Sequence, residues 1–203
     1  MISISYAVTV CNEYQEIKRL ISFLKEHKKK QDEIVIQYDS SNVSDEVMEY
    51  LNTLDVRIVG FPLGNDFSNF KNNLKGHCKG DYIFQIDADE YPNELLMENI
   101  HSIIEENNVD LMYIPRVNTV EGITDAHIKQ WNWNLSNKGW VNFPDYQSRV
   151  YRNTDGIKWT NRVHEQIIGF KTFSKLPAYE ELSLYHPKTI DRQEKQNNYY
   201  KTL

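Results

Sequence analysis

The stretch Gly80-Asp81-Tyr82-Ile83-Phe84-Gln85-Ile86-Asp87-Ala88-Asp89-Glu90 decides the fold. Tyr82 to Ile86 is apolar except for one glutamine, and turn formers precede it. Such a run reads as a strand buried on both faces, the kind found inside parallel sheets. Asp87 and Asp89 follow at once, with one residue between them.

Working outward, strands and helices alternate on both sides of this run. Residues 3–10 read as a strand. Residues 13–28 read as a helix with Ile17, Leu20, Ile21 and Leu24 on one face. Residues 33–38 are a second strand and 45–54 a second helix, with Ser44 as its N-cap and acids in its first turn. A third strand at 56–61 leads to a short helix at 66–76. After the central strand come a helix at 93–108, with Leu96, Ile100, Ile103 and Ile104 inward, and a fifth strand at 111–115. Strands separated by single helices need crossover connections, so the expected class is α/β with a mostly parallel central sheet flanked by helices.

Beyond about Val117 the periodicity fades into glycines, aromatics and polar residues. Short strands remain visible at 148–151 and 181–185, and the polar tail from Asp191 reads as a helix. The expected division is therefore 1–116 as a ligand-binding α/β half and 117–203 as a less regular half of the same domain. The tail ends without a terminator, which leaves room for further domains in a longer parent.

Composition bounds the function. The 203 residues are 40% apolar and carry a formal charge of −6, so bulk attraction to a nucleic-acid backbone is not expected. Cys11 and Cys78 are the only cysteines, too few for a disulfide framework and in keeping with a reducing compartment. The start lacks a signal-peptide pattern, and no run approaches the about 18 apolar residues of a membrane span. The expectation is a soluble, cytoplasmic domain, with peripheral membrane association left open.

Ligands of open parallel sheets bind beyond the carboxyl ends of the strands. Four polar clusters fall there: Cys11-Asn12-Glu13, Asp39-Ser40-Ser41, Gly64-Asn65-Asp66 and Asp87-Ala88-Asp89-Glu90. Any one could be a turn or a helix cap; four on one edge favour a site. Mg²⁺ or Mn²⁺ takes one or two carboxylates plus substrate phosphates, which suits Asp87 and Asp89. A calcium loop starting at Asp87 would need glycine at its sixth position, where Pro92 stands.

With these residues in view, the chain resembles the GT-A nucleotide-sugar glycosyltransferases, in particular family 2. The likeness lies in Ala7-Val8-Thr9-Val10-Cys11-Asn12-Glu13, in residues 33–41, and in Gly80 through Glu90, which is similar to the family's DxD motif in its setting. The resemblance implies a Rossmann-like GT-A fold with an irregular acceptor side. It implies that Thr9, Asn12 and Glu13 line a nucleotide pocket and that Asp39 meets the base or ribose. Asp87 and Asp89 would meet the ribose and a metal-bound diphosphate. Lys71, where an arginine is more usual, would close over the nucleotide with a point charge instead of a fork. The implied cofactor is Mn²⁺ or Mg²⁺, the implied donor a UDP-sugar with GDP and dTDP open, and the implied acceptor a hydroxyl of a glycan.

In the second half, Pro144 to Arg152 and Trp159 to Glu165 resemble blocks in bacterial and viral members of that group. Inverting transfer needs a carboxylate to take the acceptor's proton. Glu165 is the first candidate and Asp145 the second, each with an ion pair to Arg162 or Arg149 as the competing explanation. Retaining transfer would need neither. His186, and after it His164, could return to the metal. Trp131 and Trp133 could stack on acceptor sugar rings, whereas at least two of Trp131, Trp133, Trp140 and Trp159 are expected to fill the core. The rival functions are a nucleotidyltransferase, which would want a Gly-rich basic loop after the first strand, and a non-catalytic carbohydrate-binding module, which would leave the aligned acids without a purpose.

Overall fold

Two strands at the centre set the architecture: β1 (Ile4–Val10) and β4 (Tyr82–Asp87) lie side by side in parallel, Ile4 opposite Tyr82 and Thr9 opposite Asp87. The computed structural model describes residues 1–200. Between these strands run α1 (Tyr14–His27), β2 (Glu33–Asp39), α2 (Asp45–Leu51), β3 (Arg57–Phe61) and α3 (Phe67–Gly76). After them come β5 (Tyr91–Pro92), α4 (Glu94–Asn107), β6 (Leu111–Glu121), α5 (Asp125–Trp131) and β7 (Val141–Arg152). The chain closes with β8 (Lys158–Thr160), β9 (Gln166–Ile168), β10 (Phe173–Lys175), a 3-10 turn at Glu180–Leu182, β11 (Leu184–Thr189) and α6 (Ile190–Tyr200).

The main sheet has the order β3-β2-β1-β4-β7-β6-β11-β5, with β10 pairing β6 as well. Strands β3, β2, β1 and β4 are parallel, and β7 enters antiparallel between β4 and β6. From β1 the chain first winds outward to β2 and β3, then returns to β4 on the other side of β1. The β1/β4 junction is therefore the switch point, and a crevice opens beyond the carboxyl ends of these strands.

One sheet face is covered by α1, α2 and α4. Ile17, Leu20, Ile21 and Leu24 of α1 pack with Tyr6, Val8, Phe84, Ile86 and Leu96 in a continuous core. The opposite face carries a second core of Ala7, Val35, Leu74, Ile83, Tyr151 and Trp159, closed by α3 and by the β8–β9 hairpin. Burial on both faces is why β1 and β4 are mostly apolar runs, with Ser5 and Gln85 as buried polar exceptions. Gly80 is needed where the chain turns into β4, because a Cβ there would stand 2.6 Å from the Ser5 backbone nitrogen.

Helices and strands of the first half match their expected spans to within a few residues. Ser44 caps α2 by accepting from the Val47 amide. The second half is more regular than its composition implies. The strand expected at 111–115 runs on to Glu121, and that expected at 148–151 is the end of a twelve-residue β7. The strand expected at 181–185 is a 3-10 turn followed by β11. Pairing between β6 and β7 absorbs polar residues because one side of this ladder faces the crevice. No helix among the described residues is long and apolar enough to cross a membrane.

Candidate functional site

Asp87 ends β4 at the crevice. Its Oδ1 accepts from the Thr9 hydroxyl at 2.7 Å and its Oδ2 from Arg149 Nη2 at 2.9 Å. Lys71 Nζ lies 3.8 Å away. Burial alone would raise this carboxyl; the Lys71 ammonium, the Arg149 guanidinium and the Thr9 hydroxyl outweigh it and hold Asp87 far below the usual carboxylate range. The next amide, Ala88, still donates to the Thr9 carbonyl at 2.9 Å, so the motif leaves the sheet only at Asp89.

At Asp89 the loop after β4 meets β11 and α6. Parallel pairing of β11 with β6 sets His186 beside Asn118. His186 Nε2 lies 3.1 Å from Asp89 Oδ2, and its Nδ1 lies 2.8 Å from Asn118 Oδ1. The Asn118 amide is oriented by Asp145, which accepts from its Nδ2 at 2.9 Å. Asn118 thus turns its oxygen to the ring, and Nδ1 must carry a proton. Burial opposes charge on Asp89, yet the hydrogen bond and charge of His186, with Lys188 and Arg192 near by, hold its carboxyl well below the ordinary range.

A second layer of charge supports this edge. Glu90, fully buried, accepts from Arg149 Nη2 at 2.6 Å and from Arg116 Nη1 at 2.7 Å. Arg116 also donates from Nε and Nη2 to Asp145, at 2.9 and 2.6 Å. Arg149 reaches Asp87 because β7 bulges there: Val150 faces Met112 while Ser148 faces Tyr113, leaving Arg149 as the extra residue. A bulge re-aims a side chain at a sheet rim. Breaking one partner of such a buried pair costs about 3–5 kcal/mol, since the other is left uncompensated.

The β8–β9 hairpin brings Glu165 to the crevice. Asn72 of α3 clamps it, donating to the Trp159 carbonyl at 2.8 Å and accepting from the Trp159 amide at 2.9 Å. Lys71, one residue earlier, then donates to Glu165 Oε1 at 2.6 Å while its ammonium sits 4.7 Å above the Trp159 ring. The ion pairs of the two candidate bases are therefore not those expected from sequence. Glu165 pairs with Lys71, not Arg162; Asp145 pairs with Arg116, not Arg149.

The other candidates are placed unevenly. Glu13 lines the cleft, and its Oε2 accepts from the Cys11 and Asn12 amides at 2.8 and 3.0 Å, while Asn12 itself is exposed. Asp39 lines the cleft but is 3% exposed, its oxygens taken by the Ser41 and Leu63 amides and by Asn42. Asp66 turns back to cap α3, accepting from the Asn69 amide at 2.9 Å. Three of the four polar clusters thus meet at the crevice. Trp159 is core, 4% exposed and donating to the Tyr151 hydroxyl at 3.1 Å. Trp131 and Trp133 lie together on the β6–β7 excursion with ring centroids 4.7 Å apart, and Trp133 reaches the cleft, as does His164. Sequence reasoning left Arg116, Asn118, Lys188 and Arg192 without roles. Only the β6–β11 register and the seat of α6 bring them in.

Asp87, Asp89, His186, Lys71, Glu165 and Asp145 line one cleft of about 960 Å³, and Arg192 stands behind Asp89 outside that lining. Among the described residues no cluster of three or more histidine, cysteine or acidic side chains is poised to hold a metal. Asp89 and His186 could supply two ligands, and divalent ions in phosphate sites complete such a pair with substrate oxygens and water. The proton fixed on His186 Nδ1 by Asn118 is also the usual outer support of a metal-ligating imidazole. These residues fit a divalent cation that arrives with a diphosphate.

The Glycosyl transferase family 2 profile matches residues 5–181. No curated protein matches the chain. Solved structures of S. aureus TarS superpose with a TM-score of 0.60 at 15% identity for TarS 1-349 alone, covering 92% of this chain and 60% of that one. TarS 1-349 in complex with UDP-GlcNAc superposes with a TM-score of 0.60 at 16% identity, covering 93% of this chain and 59% of that one. Against the longer TarS structure this chain spans 37% of the length. The sheet order, the acidic motif closing β4 and the match across most of the length agree: the chain belongs to glycosyl transferase family 2 and has the GT-A fold.

Proposed function

We propose that this chain transfers a sugar from a UDP-sugar, with Mn²⁺ or Mg²⁺, to a hydroxyl of a glycan acceptor. The observation that carries the proposal is the meeting of Asp89 and His186 beside Asp87 at the β1/β4 switch point. The likeness to TarS, solved with UDP and with UDP-GlcNAc, supports a uridine nucleotide. The cleft is large enough for a nucleotide sugar and part of an acceptor together.

Asp89 and His186 would hold the cation, which when bound supplies charge neutralisation for the departing diphosphate. Thr9 and Arg149 fix the Asp87 carboxylate at the ribose side, where its charge is kept at any physiological pH. Between the two candidate bases, Asp145 has both oxygens committed, to Arg116 and Asn118 on one side and Gln147 on the other. Glu165 gives only Oε1 to Lys71. Glu165 is therefore the general base, taking the acceptor's proton as its oxygen attacks the anomeric carbon with inversion; Asp145 is a positioning residue for Arg116 and Asn118. Trp133 offers the acceptor an aromatic face at the cleft's rim. A panel of nucleotide sugars assayed for nucleotide release, with Mn²⁺ and with EDTA, tests the proposal. Release from a UDP-sugar that EDTA abolishes is expected; no turnover or binding of any donor would end it.

A further inference from the structure

Five basic side chains stand around the acidic motif, and their partners divide them into two groups. Arg116 is held by Glu90 and Asp145, Arg149 by Glu90 and Asp87, and Lys71 by Glu165. These three are committed to the frame of the site. Lys188 is different. It lines the cleft from the end of β11 and donates to a neutral group, the side-chain oxygen of Gln196; among the described residues no carboxylate forms an ion pair with it.

Arg192 is different in another way. It sits in the first turn of α6 and spreads over three carboxylates from two distant segments. Nη1 donates to Glu16 at 2.8 Å, and Nη2 lies 3.2 Å from Glu13 Oε1 and 3.3 Å from Asp89 Oδ2. Its side chain is 30% exposed, against 4% for Arg149. The contact with Asp89 is the telling one, because Asp89 is the carboxylate with His186 at its side. A guanidinium and a divalent cation cannot both keep their full hold on one carboxylate oxygen.

Resting on the proposed donor chemistry, we infer that Lys188 and Arg192 form a diphosphate clamp, with Arg192 held on Glu13, Glu16 and Asp89 until a metal-bound nucleoside diphosphate takes Asp89 from it. The two cations stand on the β11–α6 wall, whereas Lys71 stands on α3, so the diphosphate is met from the side of the chain's last helix. A guanidinium released from Asp89 presents the paired donors that suit phosphate oxygens, and the adjacent ammonium adds a point charge. Because Arg192 belongs to α6, filling the donor site alters how that helix is held. His127 of α5 lies 3.5 Å from Glu194 of α6, so the change is felt by the helix that carries Trp131.

The test is calorimetric titration of UDP and UMP, at fixed Mn²⁺, into the intact wild-type chain and into Lys188→Met, Arg192→Gln and Glu16→Gln. Charge-assisted hydrogen bonds of this kind correspond to an affinity change of about 10–100-fold. Lys188→Met and Arg192→Gln are expected to weaken UDP by that factor and UMP by no more than about twofold. Glu16→Gln, a change on the half-buried side of α1 that meets α6, loosens the anchor of Arg192 and is expected to tighten UDP a few-fold. With Mn²⁺ alone, Arg192→Gln is expected to bind the ion more tightly than wild type, because Asp89 has lost its competitor. Equal losses for UDP and UMP, or unchanged UDP affinity in all three variants, overturn the clamp while leaving the donor assignment standing. A wild-type chain that ignores UDP removes the donor assignment and the clamp with it.

Discussion

His186 Nε2 and Asp89 Oδ2 lie 3.1 Å apart although 97 residues separate them in the chain. One belongs to a strand at the far side of the sheet and the other to the loop closing β4. Their meeting joins the β4 end of the cleft to the last strand of the fold. Asn118 and Asp145 extend it as a relay that fixes which ring nitrogen faces the acid.

Asp89→Asn removes the charge that a cation would share with His186 and leaves the fold intact, since Asp89 sits outside the sheet's ladder. The expected result is loss of metal-dependent UDP binding by a chain that still folds, with a somewhat lower melting temperature because the pairings of Asp89 with His186 and Arg192 are lost. Asn118→Ala acts one shell further out and should weaken metal binding about 10–100-fold. Calorimetry with Mn²⁺ and UDP measures both; wild-type affinity in Asp89→Asn would take the metal away from this motif.

Glu165→Gln keeps the shape of the side chain and much of its contact with Lys71. UDP binding should stay near wild type while transfer falls about 10²–10⁴-fold, the usual share of a general base. Asp145→Asn should instead disturb Arg116 and Asn118, and so weaken donor and metal binding along with turnover. A Glu165→Gln chain with full transfer activity would move the base elsewhere or point to retention.

Trp133→Ala removes an aromatic face at the rim without touching the acidic motif. A stacked ring contributes about 0.5–1.5 kcal/mol beyond its buried area, so the acceptor KM should rise several-fold while the donor KM stays put. An unchanged acceptor KM would assign Trp133 to packing with Trp131 alone.

At the opposite end of the sheet, Asp32 ties three segments together. Its Oδ1 accepts from the Ile4 amide at 3.0 Å and lies 3.1 Å from His101 Nε2, and its Oδ2 accepts from the Lys29 amide at 2.9 Å. Burial works against the charge, but the His101 bond and the two amides prevail and lower the carboxyl below its ordinary value. A group depressed in the folded state adds stability above its unfolded value, about 3.9 for an aspartate. That contribution fades as pH falls below this value and through the folded one. Urea melts of wild type should lose stability on acidification below about pH 4. Asp32→Ala should be destabilised at neutral pH by about 1–3 kcal/mol, the cost of leaving a buried donor unpaired, and should lack the Asp32 share of that acid loss. Parallel pH dependence in the two chains would deny Asp32 its role.

The parallel half of this fold is legible in the sequence because its strands, buried on both faces, are short apolar runs between helices with one clear face. Asp87 and Asp89 could be placed at a strand end for the same reason. The antiparallel part is harder. Strands β6 and β7 carry Arg116, Asn118, Asp145 and Arg149 toward the cleft, so the alternation that marks a strand is filled with charge. The bulge that turns Arg149 toward Asp87 follows from the β6–β7 register, which no local pattern encodes. Arg192 had no signal at all: a polar helix looks alike whether it lies in solvent or across a site. Its partners Glu13 and Glu16 are 179 and 176 residues away.

The central claim is that Asp89 and His186 hold a metal-bound uridine diphosphate at the β1/β4 switch point. Calorimetric titration of UDP into the intact chain, with Mn²⁺ and again with EDTA, tests it most directly. Saturable binding that EDTA removes and that Asp89→Asn lacks is the predicted result. UDP binding of equal strength with and without the metal, or none under either condition, would contradict it.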